Sequence, residues 1–545
     1  MITTSPATAR DMINRRFNVT GLCVPAKHYM VDISGKIAKI RELIDYGDYF
    51  TINRARQYGK TTTLNELKKE LDDDYICASI SFEGVGDEPF ETDAAFCSMF
   101  LHRVSRALTF SSASKEYAGE WLNDDVSSFI TLGAHITKMC KNKKIVLMID
   151  EVDRTSNNKV FLHLLGMLRE KYLAAQAETD DTFHSVILAG VYDIRNLKLK
   201  MINDGIYTPT QTEGNLYNSP WNIAVDFDVD MSFDPMEIAS MLNEYEADHH
   251  SGMDIPVIAE EIHKYTSGYP YLVSRICQHM DEKLERDWTI RGVQEAVKIV
   301  TLEKNMLFDD MAKNLEGNKD LYDFLYSLLI VGEPKSFVPG NPVVELGSIF
   351  GYIKKGDGDS AGKTPGFAAV ANKIFEMRMS YHFSANDENV SRMQGYAGHG
   401  LYQEVVRGGA FDMELCLRKF AEHYHELFAD EDLPFLERHG RLLFLSWLKP
   451  LVNGQGFYHI ESQFTDLRRM DVVVDFERDQ FIIELKIWRG EAAQDKAYEQ
   501  LLDYMASRNM DRGYLLTFDF RKERNKSHTA EWVRLGAKQI FEVIV

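Results

Sequence analysis

Between Tyr49 and about Asp230 the chain alternates short, nearly continuous apolar runs with longer stretches whose apolar residues return every three or four positions. The runs YFTIN, YICASISF, KIVLMID, HSVILAGV and WNIAVDFDV predict strands. The segments Thr62 to Leu71, Ala94 to Leu108, Val126 to Cys140 and Lys159 to Ala175 predict helices. A strand that is apolar on both faces must be covered on both, so the order predicts a parallel sheet between helices.

The pattern then changes. Residues from about 234 to 312 read as helices only, opening with DPMEIASMLNEYE, where Asp234 can cap and Pro235 can occupy the first turn. From about 315 to 400, helical DLYDFLYSLLIVG leads through the polar loop KKGDGDSAGKTPG to strand-like IFEMRMSYHF, which predicts a small winged-helix-like module. A linker is expected over about 385 to 405. Helices follow to about Leu451, then the strands FYHIESQF, MDVVVDFE and FIIELKIW, with ERDQ turning between the last two. The helix AAQDKAYEQLLDYMAS and the strand GYLLTFDF complete the reading. The expected fold class is α/β and multidomain, divided at 20–232, 233–312, 313–400 and 405–545.

Length agrees, since 545 residues at about 150 per domain imply three or four domains. The chain is 45% apolar and 27% charged, an ordinary soluble composition. KIVLMID and RLLFLSWL fall far short of the roughly 20 apolar residues a membrane span needs. The N-terminus has no apolar stretch after its charges, so a cytoplasmic protein without a membrane partner is expected. Six scattered cysteines without a C-x-x-C pair point to reduced, buried thiols, not a zinc or disulfide framework. His249 with His250, and His423 with His425, lack zinc-ligand spacing. Net charge is -21, but residues 431–545 hold 17 basic against 19 acidic side chains. Nucleic-acid contact is therefore most plausible in the C-terminal part, which also holds the basic run RKERNK; a solvated charged loop is the competing explanation.

Two stretches carry chemistry. After the strand DYFTIN, the loop RARQYGK opens the helix TTTLNELKKEL. This is the order in which backbone N–H groups and a helix N-terminus point at phosphates. Gly59, Lys60, Thr61 and Thr62 form the end of a phosphate-binding loop whose first glycine is replaced by Arg54. Lys60 would meet the β- and γ-phosphates and Thr61 a Mg²⁺ ion. In KIVLMIDEVD, Asp150 ends a buried strand where it would hold the metal's water shell, and Glu151 would orient an attacking water. The competing explanation is a helix-capping acid pair. Asp193 and Arg195 in YDIRNLK, and Arg275 after the Gly-Tyr-Pro turn, are further phosphate-end candidates, with a surface ion pair the alternative role for Arg275.

In RRMDVVVDFERDQFIIELKIWRG, Asp471 opens one strand, while Glu484 and Lys486 lie two apart on the next and so share a face. A hairpin would bring Asp471 beside them. Two carboxylates can hold Mg²⁺, or Mn²⁺, against a scissile phosphate, with the lysine acting on water and developing charge. Glu437 on the preceding helix is a candidate third acid, near Arg441. Gln500 and Tyr504 lie one turn apart on the following helix. An edge strand with an ion pair across one face would also explain Glu484 and Lys486.

INRARQYGKTTTL, IVLMIDEVD, ILAGVYDI and GYPYLV resemble the AAA-ATPase-like domains that carry R-x-R-x-x-GKT in place of a full Walker motif, over roughly residues 20–275. That family belongs to the additional-strand P-loop ATPases, close to signal-transduction NTPases, and in it Arg54 is a family feature. The helix, hairpin, E-x-K strand and Q-x-x-x-Y helix resemble the PD-(D/E)xK nuclease superfamily in its RecB-like branch, over roughly 410–545, with Met470 where the conventional proline stands. The resemblances imply ATP and Mg²⁺ as cofactors, nucleic acid as partner with DNA ahead of RNA, and a mobile-element or antiviral-defence setting. A homo-oligomer is left open. The competing function is a nucleotide-switched regulator or scaffold whose nuclease-like domain holds nucleic acid without cutting it.

Overall fold

The computed structural model describes residues 15–110, 115–152, 159–191, 221–331, 333, 335–356, 366–385, 399–428, 433–452, 456–461, 471–477, 479–519 and 529–545. Glu437, Glu461 and Asp471 are described by their backbone alone. Two compact units result: Met1–His263 with Ser267–Ala296 and Ile349–Gly351, and Val297–Ser348 with Lys264–Thr266 and Tyr352–Val545.

In the first unit, α1 (Ser34–Asp45) leads to β1 (Tyr49–Asn53), α2 (Lys60–Leu71), β2 (Ile76–Ser81), α3 (Asp93–Thr109), α4 (Phe129–Cys140), β3 (Ile145–Asp150), α5 (Lys159–Gln176) and β4 (Ser185–Gly190). The four strands are parallel in the order β1-β4-β3-β2, so β4 is inserted between the P-loop strand and the strand ending in Asp150. Each face has its own core. Tyr49, Leu147 and Leu188 pack with α3 to α5, while Phe50, Val146 and Ile187 pack with α1 and α2. This two-sided burial is why these strands read as unbroken apolar runs. WNIAVDFDV differs from expectation: among its described residues only a parallel bridge from Val225 to Phe50 remains of the strand. Asp226 and Asp228 alternate with the core-facing Val225, Phe227 and Val229, and aspartate is disfavoured in strands.

The helices α6 (Pro235–His249), α7 (Ile255–Thr266), α8 (Pro270–Glu282) and α9 (Ile290–Leu302) follow. Asp234 caps α6 in a capping box with Glu237, with Pro235 in the first turn. Gly268 is obligatory before α8: its φ is +71°, and an added Cβ would lie 2.0 Å from the Phe233 carbonyl oxygen.

In the second unit, α10 (Met306–Gly317), α11 (Lys319–Tyr326) and α12 (Pro342–Ile349) precede the antiparallel pair β5 (Ile353–Lys355) and β6 (Ala368–Val370). Helices here precede a short hairpin, and IFEMRMSYHF is not the expected strand. It lies in α13 (Lys373–Ala385). Ile374, Phe375, Met377, Met379 and Phe383 are all buried, so the helix is apolar on several sides and shows no single stripe. The expected linker is also partly structured: α14 (His399–Val405) and the hairpin β7 (Val406–Arg407) and β8 (Ala410–Phe411) follow the undescribed residues 386–398.

The C-terminal part continues with α15 (Met413–Phe428), α16 (Leu433–Val452), β9 (Gly456–Glu461), β10 (Asp471–Phe476), β11 (Asp479–Ile487), α17 (Glu491–Ser507), β12 (Arg512–Phe518), β13 (Thr529–Leu535) and β14 (Lys538–Ile544). They form one mixed sheet in the order β13-β14-β12-β11-β10-β9. α17 covers one face through Ala497, Leu501 and Met505 over Val473, Ile482 and Leu515. α15 and α16 lie against the other, where Gly440 and the Phe420 and Tyr424 rings meet Phe518. RKERNK lies outside the described residues. Among those described, no helix is long and apolar enough to cross a membrane. The six cysteines are unbridged, and all but Cys23 are buried.

Candidate functional sites

The loop between β1 and α2 is held by its own side chains. Gln57 and Gly59 take left-handed backbone, φ 58° and 77°, and Gly59 stands at the N-terminus of α2. Lys60 is 7% exposed, and its Nζ donates to the carbonyls of Arg54 at 2.9 Å and Ala55 at 3.0 Å. Its ammonium therefore spans the loop that would receive phosphate. Thr61 Oγ1 donates to Asp150 Oδ2 at 2.6 Å across the gap between α2 and β3. A hydroxyl and a carboxylate at this separation suit a hard divalent cation, which takes oxygen ligands. Glu151 has φ 57°, and its N–H donates to Asp150 Oδ1 at 2.9 Å.

Arg54 has a different geometry from the glycine it replaces. Its guanidinium donates to the carbonyls of Asn53 and Val229, both at 2.9 Å, and stacks over Phe227 at 5.6 Å. It thus ties the loop's entry to the segment after the bridge at Val225. Tyr58 shares a hydrogen bond with Ser232 at 2.8 Å and meets Tyr269 edge-on, while Tyr269 donates to the Arg56 carbonyl at 2.6 Å. Burial pushes the Tyr58 hydroxyl up. Thr62 Oγ1 accepts from the Cys23 N–H at 3.2 Å, which draws residues near 20 beside the loop. An apolar cavity opens there, lined by Val19, Met30, Tyr58, Phe233 and Tyr271. The sequence reading missed this wall; its residues follow no motif. Arg275 on α8 bonds Gln278 of its own helix at 2.7 Å. Asp193 and Arg195 lie outside the described residues.

The second site sits on the α17 face of the C-terminal sheet. The antiparallel register sets Asp471 directly opposite Glu484, and Glu461 opposite Asp471 on its other side. Glu484 is 1% exposed, and its Oε1 pairs with Lys486 Nζ. Lys486 also donates to Gln500 Oε1 at 3.2 Å. β11 lies between β10 and β12, which removes the edge-strand explanation, while the ion pair it invoked is formed. Arg441 donates weakly to the Leu485 carbonyl at 3.4 Å. Burial pushes its guanidinium down to about 10, against the opposing pull of the Glu484 carboxylate. Among the described side chains no group of three His, Cys, Asp or Glu forms a metal cluster.

Gln500 and Tyr504 divide. Gln500 reaches the lysine, whereas Tyr504 is 4% exposed within the apolar core, with Arg508 over its ring at 5.4 Å. A second Q-x-x-x-Y spacing, Gln494 and Tyr498 in QDKAY, converges instead on buried Glu542 of β14. Tyr498 donates to Glu542 at 2.7 Å, and Gln494 also donates to Thr517, the register neighbour of Lys486, at 3.1 Å. The repeated spacing was visible in the sequence; Glu542 had no signal.

Sheet order, loop and acid together define the first unit as a P-loop ATPase domain of the additional-strand kind. The family model for the AAA-like domain matches residues 25–329, and the chain belongs to that family. The model for the PD-(D/E)XK nuclease superfamily matches residues 457–529, which span β9 to β12 and α17. No curated protein matches the chain. Among solved structures it is similar to a Walker-type ATPase of Pyrococcus abyssi, at 13% identity and TM-score 0.45, over 67% of this chain and 99% of that one. It is also similar to Cdc6p from Pyrobaculum aerophilum, at 12% identity and TM-score 0.28, over 65% and 94%. The Aeropyrum pernix ORC2 protein in its ADPNP–ADP complexes shows 10% identity and TM-score 0.31, over 68% and 98%.

Proposed function

We propose that the chain binds and hydrolyses ATP and, through its C-terminal domain, cuts nucleic-acid phosphodiester bonds with Mg²⁺, Mn²⁺ substituting. The observation that carries this reading is the register of Asp471 against Glu484, with Glu484 paired to Lys486 on the same face. Asp471 and Glu484 would hold the cation, with Glu437 a further acid; the ion, when bound, neutralises charge on the scissile phosphate. Lys486 orients the attacking water, and Gln500 fixes the lysine. Water adds to phosphorus as the P–O bond breaks, and the leaving oxygen takes a proton. In the ATPase domain, Arg54, Gly59, Lys60, Thr61 and Thr62 would bind the nucleotide, Thr61 and Asp150 would hold Mg²⁺, Glu151 would position water, and Arg275 would read the γ-phosphate.

The reading includes the four-part division at 20–232, 233–312, 313–400 and 405–545, a cytoplasmic location and DNA ahead of RNA as substrate. The family resemblance supports a mobile-element or antiviral-defence role. The test incubates the purified chain with labelled single- and double-stranded DNA and RNA, with and without ATP and Mg²⁺ or Mn²⁺. Cleavage that requires the cation and disappears in Asp471→Ala is expected. Binding without cutting under every condition would overturn the enzyme in favour of a nucleotide-switched scaffold.

A further inference from the structure

The second unit holds two cations that its described carboxylates do not neutralise. On α13, Arg378 donates from Nη1 to the Thr301 carbonyl at 3.0 Å and stacks over Phe308 at 4.9 Å, which leaves most of its five N–H donors without an acceptor among the described residues. On α16, the Lys449 ammonium stands 4.6 Å over the Tyr381 ring of α13 and has no ion pair there. Asp309 acts on Arg378 from beyond ion-pair distance. Burial pushes both cations down, and Arg378 adds to the effect at Lys449. The last turn of α16 offers Lys449 about half a negative charge, less than the two cations carry. Both side chains are half-buried and reach solvent. Tyr381 meets the Tyr458 ring of β9 edge-on at 5.9 Å. Tyr458 is 1% exposed, and its hydroxyl has no hydrogen-bond partner among the described residues. An unpaired buried hydroxyl and uncompensated half-buried cations both cost folding free energy. An anion with acceptor oxygens relieves both at once. Tyr458 lies three positions along β9 from Glu461, the register partner of Asp471. At about 3.3 Å per residue that is about 10 Å, or three base steps of nucleic acid at about 3.4 Å each. Period two turns Tyr458 to the opposite face, so a bound strand reaches both places by crossing β9, the last strand of the sheet.

We propose that Arg378 and Lys449, with the Tyr458 hydroxyl as a further donor, bind a backbone phosphate of the nucleic acid on which the second site acts. The inference rests on the reading of nucleic acid as this chain's substrate. It adds a contact outside the cleavage site, on α13, α16 and β9.

The test measures binding of labelled single-stranded DNA to the full chain by fluorescence anisotropy across a salt series, in EDTA and without nucleotide, so that no metal-held phosphate contributes. Melting of each variant is recorded by scanning calorimetry. Lys449→Met keeps an apolar stem against Tyr381 and removes the charge. It is expected to bind about fivefold more weakly and to flatten the log–log salt dependence by about 0.7, the slope of one lost phosphate contact on a single strand. It should also melt higher than its parent, because an uncompensated charge is gone. Arg378→Met and Tyr458→Phe are expected to weaken binding as well, and metal-dependent cleavage at saturating DNA should persist in all three. Should Arg378→Met fail to fold for want of its Thr301 bond, Lys449→Met and Tyr458→Phe decide. If Lys449→Met binds as the parent does, with the same salt slope, the inference falls, and the nuclease reading stands as long as the parent cuts. If the parent binds no DNA in EDTA, the inference falls, and cleavage with Mg²⁺ decides the nuclease reading by itself.

Discussion

Removing the Lys486 ammonium while leaving Glu484 in place separates a working pair from a structural one. The Glu484 side chain is 1% exposed and that of Lys486 17%. Stripping a buried carboxylate of its cation costs about 3–5 kcal/mol. Lys486 reaches solvent in part and Arg441 still acts on Glu484, so Lys486→Ala should fall at the lower end, about 3 kcal/mol. In a unit of roughly 150–250 residues each kcal/mol moves the melting temperature about 2–4 °C, which gives a drop of about 6–12 °C. Scanning calorimetry of the full chain reads it from the transition of the second unit. Glu484→Gln added to Lys486→Ala removes the buried charge and should raise that transition again. Mn²⁺ at about 100 times its dissociation constant should return about 2.7 kcal/mol to Lys486→Ala and little to the double variant, while neither cuts. Unchanged melting of Lys486→Ala, or a double variant no more stable than the single one, would refute the buried pair. A variant that melts early yet cuts normally would leave the pair structural only.

Lys60→Ala should weaken ATP binding by an order of magnitude or more in calorimetry, since the ammonium that spans the loop is lost. Glu151→Gln should keep ATP and slow phosphate release in a steady-state assay. Gly268→Ala should lower stability by more than about 1 kcal/mol in denaturant titration, because φ is +71° and the Phe233 carbonyl blocks a Cβ. Burial, reinforced by Asp248 and Asp45, pushes the hydroxyls of Tyr29 and Tyr75 up to about 12 from 10. Their raised values stabilise the fold fully below about pH 10, and the contribution is lost as pH rises from 10 to 12; alkaline melting curves of Tyr29→Phe and Tyr75→Phe should lose that part of the slope.

Strands buried on both faces were legible: the four apolar runs that became β1 to β4 differ from the observed bounds by a residue or two at most. β10 and β11 were legible for another reason, since Asp471, Glu484 and Lys486 break apolar runs at period two. The C-terminal hairpin went unread because TAEWVRL alternates weakly, with its residues mostly half-exposed, and pairs with β14 at the edge of the sheet. α13 was misread because burial on several sides erases helical period. The pairing of Glu461 with Asp471 was not legible because it spans a ten-residue step in sequence, and register belongs to pairing, not to composition. The Lys60 contacts and the Thr61 bond to Asp150 follow from the P-loop pattern, while the Arg54 link to Val229 depends on a segment that no motif announces.

The inserted position of β4 also governs the order in which the nucleotide site can form during synthesis. β2 and β3 pair with each other once residue 150 has emerged, but β1 has its ladder with β4, residues 185–190. Until those residues leave the ribosome, β1, whose loop leads to Gly59 and to Lys60 at the start of α2, has no partner strand on either edge. A nascent chain stopped near residue 180 would hold an apolar, unpaired strand and no seat for a phosphate. The last strand to arrive is thus the one that joins the two halves of the site, and nucleotide becomes able to stabilise the unit only after it has docked.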